Sequence, residues 1–270
     1  MTEDVLLVYD LDLSSLEQTL RFLKSFFINK SFNPLKAETF LDKGFTEKYS
    51  AVLTMHLALD QEINTHRKIS AQAELLGLKQ LNPYFSLSEI FDNKMRFYEF
   101  MLAQGFKQAK TICIEEMMKI EILYQELLSK ELDLNKEYLL KPCHGTESIG
   151  IKSLYFNEES LKLGINLESL TQILDTDLLL IQEKQNFIHE YKIVYFDNYL
   201  MSAKSLSSSI IGYCKLFINS LRDFSSYLSE PMNRLFSIDL LELSENDFII
   251  LEANARPAGI YKFSEFVYVI

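Results

Sequence analysis

Asp239, Glu252 and Asn254 stand near the C-terminus in a pattern that can hold a divalent cation. Phe236–Leu243 and Phe248–Asn254 are apolar runs separated by Ser244-Glu245-Asn246-Asp247, a polar stretch that reads as a hairpin turn. If Leu243 pairs with Phe248, antiparallel register sets Asp239 directly opposite Glu252, with Cβ atoms about 4.5–5.5 Å apart. Asn254 lies two residues past Glu252 and points to the same face. Facing carboxylates repel, and Ile238, Leu240, Ile250 and Leu251 surround them with apolar side chains. A cation offsets that repulsion. Hard oxygen ligands of this kind suit Mg²⁺, with substrate phosphates completing the shell. Arg256 reaches the same face if the strand continues, and its guanidinium suits a phosphate or a developing anion. The same pattern also suits an edge hairpin with solvated acids, and a one-residue slip would turn Asp239 to the other face.

A second group of residues has the chemistry of phosphate binding. Lys141-Pro142-Cys143-His144-Gly145-Thr146-Glu147-Ser148-Ile149-Gly150 joins two expected strands, Glu137–Lys141 and Gly150–Phe156. Gly145 and Gly150 let backbone amides approach an anion, and Thr146 and Ser148 add hydroxyl donors. Lys141, at the strand end, places a point charge on phosphates. Lys94, in Asn93-Lys94, offers a second. Gln182, Glu183 and Lys184 follow the apolar run Leu178–Gln182, where backbone groups can meet an adenine edge, and Glu190 can take a ribose hydroxyl. Taken singly, each is equally a plain loop or a solvated side chain. Cys143 and His144 are adjacent, a poor geometry for chelating one metal, and read as non-catalytic.

These residues need a frame. Val5–Tyr9 reads as a buried strand of a parallel sheet. Leu16, Leu20, Leu23 and Phe27 recur at helical spacing after Ser14 and Ser15. Ala51–Leu57 reads as a second strand and Lys68–Leu76 as a helix closed by Gly77. Together they predict a small α/β lobe over about the first 90 residues. It lacks GxGxxG, which argues against a dinucleotide site there. Further on, the pattern predicts helices over Ser88–Gln104, Glu115–Lys130 and Ser209–Leu228, and a strand over Lys192–Tyr195.

The formal net charge of −11 repels nucleic acid and anionic membranes, so neither is an expected partner. Cys113, Cys143 and Cys214 form no CxxC pair, which fits a reducing cytoplasm. The N-terminus lacks the basic start and long apolar segment of a signal peptide. No apolar run reaches the ~18 residues of a membrane span. A cytoplasmic protein is expected, with association into a homo-oligomer left open.

In their order along the chain, these elements resemble the ATP-grasp superfamily. The resemblance rests on Asp92-Asn93-Lys94 preceded by Asn82-Pro83, on Lys141-Pro142 with Gly145–Gly150, on Gln182-Glu183 and Glu190-Tyr191-Lys192, and on Asp239 with Leu251-Glu252-Ala253-Asn254-Ala255-Arg256-Pro257. The last segment is most similar to the L-amino-acid and dipeptide ligase branch. The resemblance implies an α/β fold with a lobe over 1–90 and an ATP-grasp domain over 91–270. Within that domain it implies a small lid lobe at about 105–180 and a metal-binding lobe at about 185–270, the two clamping ATP. It implies that Lys94 and Lys141 hold the phosphates under a cover formed by Gly145, Thr146, Ser148 and Gly150. Gln182, Glu183 and Lys184 would be the adenine hinge and Glu190 a ribose contact. Asp239, Glu252 and Asn254 would bind two Mg²⁺, for which Mn²⁺ can substitute, with Glu252 bridging. Arg256 and Lys141 would act on the transferring phosphoryl group.

The implied activity is ATP-dependent joining of a carboxylate to an amine, the carboxylate belonging to an amino acid or peptide. A kinase that stops after phosphoryl transfer and a nucleotide-binding protein without turnover are the competing classes. The chain departs from the pattern at Lys192, where several branches have Arg, and it ends soon after Arg256. Either an open acceptor site or a second subunit is then expected.

Overall fold

The computed structural model describes residues 3–10, 13–43, 49–55, 57, 62–115, 136–144, 151–155, 178–232, 234–257, 260–263 and 265–270. The first unit runs β1 (Glu3–Tyr9), α1 (Leu13–Phe26), β2 (Lys30–Lys36), α2 (Ala37–Lys43), β3 (Ala51–Thr54), α3 (Glu62–Leu75) and β4 (Lys79–Gln80). Its strands form a parallel sheet in the order β2-β1-β3-β4. After Glu3 and Asp4, strand β1 is apolar and buried from Val5 to Tyr9, because both of its faces are covered there. Val5 and Leu7 pack with Leu16 and Leu23 of α1, while Leu6 and Val8 pack with Phe40 of α2 and with Ile69 and Ala73 of α3.

Two short helices follow, α4 (Ser86–Asp92) and α5 (Lys94–Ala103). The single helix expected over Ser88–Gln104 is therefore broken. Asn93 sits in an extended conformation and its side-chain oxygen accepts hydrogen bonds from the backbone N–H groups of Met95 and Arg96, both at 3.0 Å. That is an N-cap, which restarts the helix in a new direction.

A second sheet contains β5 (Thr111–Glu115), β6 (Glu137–Pro142), β7 (Lys152–Tyr155) and β8 (Leu178–Glu183), antiparallel in the order β5-β8-β6-β7. Glu115, where a helix is expected to begin, ends strand β5; the rest of the helix expected over Glu115–Lys130 and the loop residues Gly145, Thr146, Ser148 and Gly150 lie outside the described residues.

A third sheet closes the chain. It contains β9 (His189–Phe196), β10 (Tyr199–Ser202), β11 (Leu235–Ser244), β12 (Asp247–Asn254) and β13 (Phe266–Val269), in the order β12-β11-β9-β10-β13. All its pairings are antiparallel. Helix α6 (Ser208–Tyr227) lies between β10 and β11 in sequence. Its Cys214, Phe217 and Leu221 share a core with Ile193, Phe236, Ile238 and Leu240, which occupy one face of the sheet. The opposite face carries Val194, Phe196 and Leu235, which join the core of the parallel unit. Phe27 and Phe196 meet there edge to face, ring centroids 4.4 Å apart. No helix among the described residues is long and apolar enough to cross a membrane.

Candidate functional site

Asp239 and Glu252 are directly opposed across β11 and β12, as the sequence predicts, but the ladder between them is irregular. Phe248 pairs with Glu242 and not with Leu243, and Ile250 pairs with Leu240, leaving Leu251 without a ladder partner. The two one-residue shifts cancel. The bulge at Leu251 decides which way the chemistry faces. Phe248 and Ile250 lie in the core shared with α6. Beyond the bulge, Ala253 and Ala255 take that side, so Glu252 and Asn254 turn to the other.

The carboxylates have cations beside them. Lys94 Nζ is 3.7 Å from Glu252 Oε2, and Lys192 Nζ is 3.4 Å from Asp239 Oδ2. Asn254 donates from Nδ2 to Glu252 Oε1 at 3.3 Å. Asp239 is 8% exposed. Burial first, then the charge of Glu252, pushes its carboxyl up to about 6, which Lys192 offsets in part. Glu190, near the start of β9, pushes in the same direction as Glu252. Two crowded carboxylates, with an amide oxygen on the same face, fit the donor chemistry of Mg²⁺.

The lysines are set by backbone contacts from different units. The break at Asn93 makes Lys94 the first residue of α5, and its backbone N–H donates to the carbonyl of Cys143 at 2.9 Å, two residues past Lys141. Lys141 is buried on β6 and donates to Gln182 Oε1 at 2.7 Å. Gln182 in turn donates to Thr111 Oγ1 at 3.0 Å. Burial lowers the Lys141 pKa; the negative charge of Glu252 works against that shift and the positive charge of Lys94 adds to it. Lys141 thus feels the charges of both Lys94 and Glu252, which are themselves 3.7 Å apart.

The proposed hinge residues are occupied in other ways. The Gln182 side chain serves Lys141, the Glu183 side chain accepts from Lys136, and Lys184 donates to both oxygens of Glu137. The backbone N–H groups of Glu183 and Lys184 donate to the carbonyls of Lys110 and Glu137. Glu190 is exposed, and its carbonyl accepts from Lys204 at 2.8 Å.

Arg256 differs from expectation. Strand β12 ends at Asn254, so the alternation that would align Arg256 with Glu252 stops. Its guanidinium instead grips Asp92 with two hydrogen bonds, at 2.9 and 3.3 Å, and donates to His66 Nδ1 at 2.9 Å. Both partners of the ion pair are nearly buried, at 4% and 9% side-chain exposure.

The His66 tautomer follows from its neighbours. Nε2 lies 2.7 Å from the carbonyl of Asn82, which can only accept, so Nε2 carries the proton and Nδ1 accepts from Arg256. Burial, helped by the Arg256 charge, depresses the His66 pKa to about 3. Asn82 completes the link. Its side chain exchanges hydrogen bonds with the backbone of Thr54 at 2.9 and 2.6 Å and donates to Ala255 O at 3.4 Å. The sequence gives no local sign of these contacts, since His66 and Arg256 are 190 residues apart.

The depressed His66 pKa gives an acid-lability prediction. The unfolded imidazole takes up a proton near its usual pKa of 6.5, and the folded one only near 3. The stabilising difference is complete above pH 6.5 and is lost as pH falls toward 3. Between pH 7 and pH 5 this group should cost about 2 kcal/mol of folding stability. Urea unfolding across that range measures it, and a His66→Gln variant should have a flatter profile. An equal slope in both proteins would refute the assignment.

No family model matches the sequence, and no curated protein does. Solved structures do match. The chain is similar to the D-cycloserine synthetase DcsG, with 13% identity, 97% of this chain and 95% of that chain covered, and a TM-score of 0.67. It is similar to D-alanine–D-alanine ligase from Bacillus anthracis, with 12% identity, 96% and 88% coverage and a TM-score of 0.67. It is also similar to the ATP-grasp ligase PsnB, solved with a minimal precursor, Mg and ADP, with 10% identity, 94% and 89% coverage and a TM-score of 0.61. With nearly the whole length aligned in each case, the chain has the ATP-grasp fold.

Proposed function

We propose that the chain is an ATP-dependent carboxylate–amine ligase acting on an amino acid or peptide through an acyl phosphate. The observation that carries this reading is the grouping of Asp239, Glu252 and Asn254 on one sheet face with Lys94 at Glu252 and Lys141 close by. Phosphoryl transfer asks a protein mainly for positioning and charge neutralisation, and this set supplies both. In this reading Lys94 and Lys141 draw the triphosphate toward the sheet, and Asp239, Glu252 and Asn254 hold Mg²⁺. The metal, when bound, neutralises phosphate charge and orients the γ-phosphoryl group.

A substrate carboxylate oxygen attacks the γ-phosphorus and ADP leaves. The amine nitrogen then attacks the acyl carbon and inorganic phosphate leaves. The proposed action of Arg256 on the anions formed belongs to the same reading and requires its guanidinium to leave the Asp92 carboxylate that holds it. The proposed covering role of Gly145, Thr146, Ser148 and Gly150, the adenine hinge at Gln182, Glu183 and Lys184, the ribose contact at Glu190, and the division into residues 1–90 and 91–270 belong to the same reading. Support also comes from the neighbouring structures, whose names are those of ligases and synthetases.

The test is an ADP-release screen over amino acids and short peptides, with mass spectrometry of products. ADP should appear only with a suitable carboxylate and amine, together with a condensed product lighter than its parts by one water. ADP without any condensed product would identify a kinase. Nucleotide binding with no ADP under every substrate pair would identify a non-catalytic protein.

A further inference from the structure

Lys192 is the charged side chain of this face to which the reading above gives no task. It stands directly opposite Asp239 across β9 and β11, and Asp239 stands directly opposite Glu252 across β11 and β12. Lys192, Asp239 and Glu252 thus make a row over three strands, one ammonium group followed by two carboxylates. Lys94 closes its far end at Glu252. Each member of the carboxylate pair therefore has an ammonium group where a metal ion would be drawn.

An ammonium group and a divalent cation repel strongly when both lie against one carboxylate in a partly buried site. Metal entry must displace the lysine or bind weakly beside it. The two partners are unequal in freedom. The Lys192 side chain is 59% exposed and that of Asp239 only 11%. The pair therefore opens by movement of the lysine, whose flexible stem and point charge make it easier to dislodge than a bidentate arginine. A triphosphate beside the sheet gives the displaced ammonium a new anion. Phosphate binding then frees the carboxylate, and metal binding in turn strengthens the hold on phosphate.

We propose that Lys192 is a resident counter-ion of Asp239 that keeps divalent metal out of the nucleotide-free site and yields when phosphates arrive, so that metal and nucleotide bind in mutual dependence. This rests on the metal and nucleotide reading given above. The coupling is reciprocal, since each ligand must improve the other's affinity by the same factor.

Mn²⁺ binding, followed by the loss of its free electron paramagnetic resonance signal, tests the proposal without any turnover. In the wild-type protein, Mn²⁺ should bind at least about tenfold more tightly with a non-hydrolysable ATP analogue than alone. Lys192→Met should bind Mn²⁺ alone about 3–10-fold more tightly than wild type, and its coupling to the analogue should shrink accordingly. Lys192→Arg should restore weak binding of the metal alone. Matching thermal unfolding of the three proteins establishes that all are folded, as the exposure of Lys192 leads one to expect. Unchanged Mn²⁺ affinity in Lys192→Met, with nucleotide coupling present in the wild type, overturns this inference and leaves the site reading standing. Absence of nucleotide-dependent Mn²⁺ binding in the wild type overturns both.

Discussion

Glu252→Gln is expected to lower ADP formation by roughly 10²–10³-fold while leaving the protein as stable as the wild type, or slightly more so. Glu252 lies at the centre of the acidic face. It is opposed to Asp239, accepts from Asn254 and draws Lys94. The amide keeps the size of the side chain and removes its charge, which in the proposed reading takes away a metal ligand and the partner of Lys94. The effect on folding has the opposite sign. Glu252 contributes to holding the Asp239 carboxyl near 6, so its neutralisation relieves a repulsion already present at neutral pH. A catalytic loss together with an unchanged or raised melting temperature is the signature of a residue kept for function. ADP release near the wild-type rate would remove Glu252 from the chemistry.

The second large effect is expected at Asp92 and concerns folding. Asp92→Ala should cost about 3–5 kcal/mol, because it leaves the Arg256 guanidinium in a site of 4% side-chain exposure without its carboxylate. Urea unfolding measures this. Combining Arg256→Met with Asp92→Leu removes both charges together and should recover much of the loss, since well-packed apolar replacements of buried ion pairs are often tolerated. ADP formation should stay low in that double variant if Arg256 also serves the reaction. Recovery of both stability and turnover would make the pair a structural tie alone. A small loss in Asp92→Ala would mean that the pair is more solvated than its geometry implies.

Some of this was legible from residue pattern alone. The run Val5–Tyr9 lacks polar alternation and is buried on both faces. The turn at Ser244–Asp247 placed the hairpin, and the opposition of Asp239 and Glu252 followed, although the compensating shifts inside the ladder did not. A bulge leaves no mark in an apolar run such as Phe248–Leu251. Strand β2 has no strand-like pattern to read because Lys30–Lys36 carries Asn33 and Pro34; among the described residues it is an edge strand paired to β1, where proline is tolerated. The split between α4 and α5 had a readable sign in Asn93, a good capping residue, but the apolar periodicity on both sides masked it. Alignment of Arg256 with Glu252 requires β12 to continue, and it ends at Asn254. The contacts that hold Arg256 come from α3 and α4, and long-range pairs of this kind have no periodicity to read.

The bulge at Leu251 has a wider meaning for how this hairpin carries charge. Phe248, Ile250, Glu252 and Asn254 are all even-numbered, and an uninterrupted strand would send them the same way. Oil and acid would then compete for the side packed on α6. One surplus residue puts the two halves of the strand half a period out of step, so a single short segment can line a dry interior at one end and carry a carboxylate and an amide on the opposite face at the other. The expense is one unpaired step of backbone, much smaller than that of interring a carboxylate among aromatic rings.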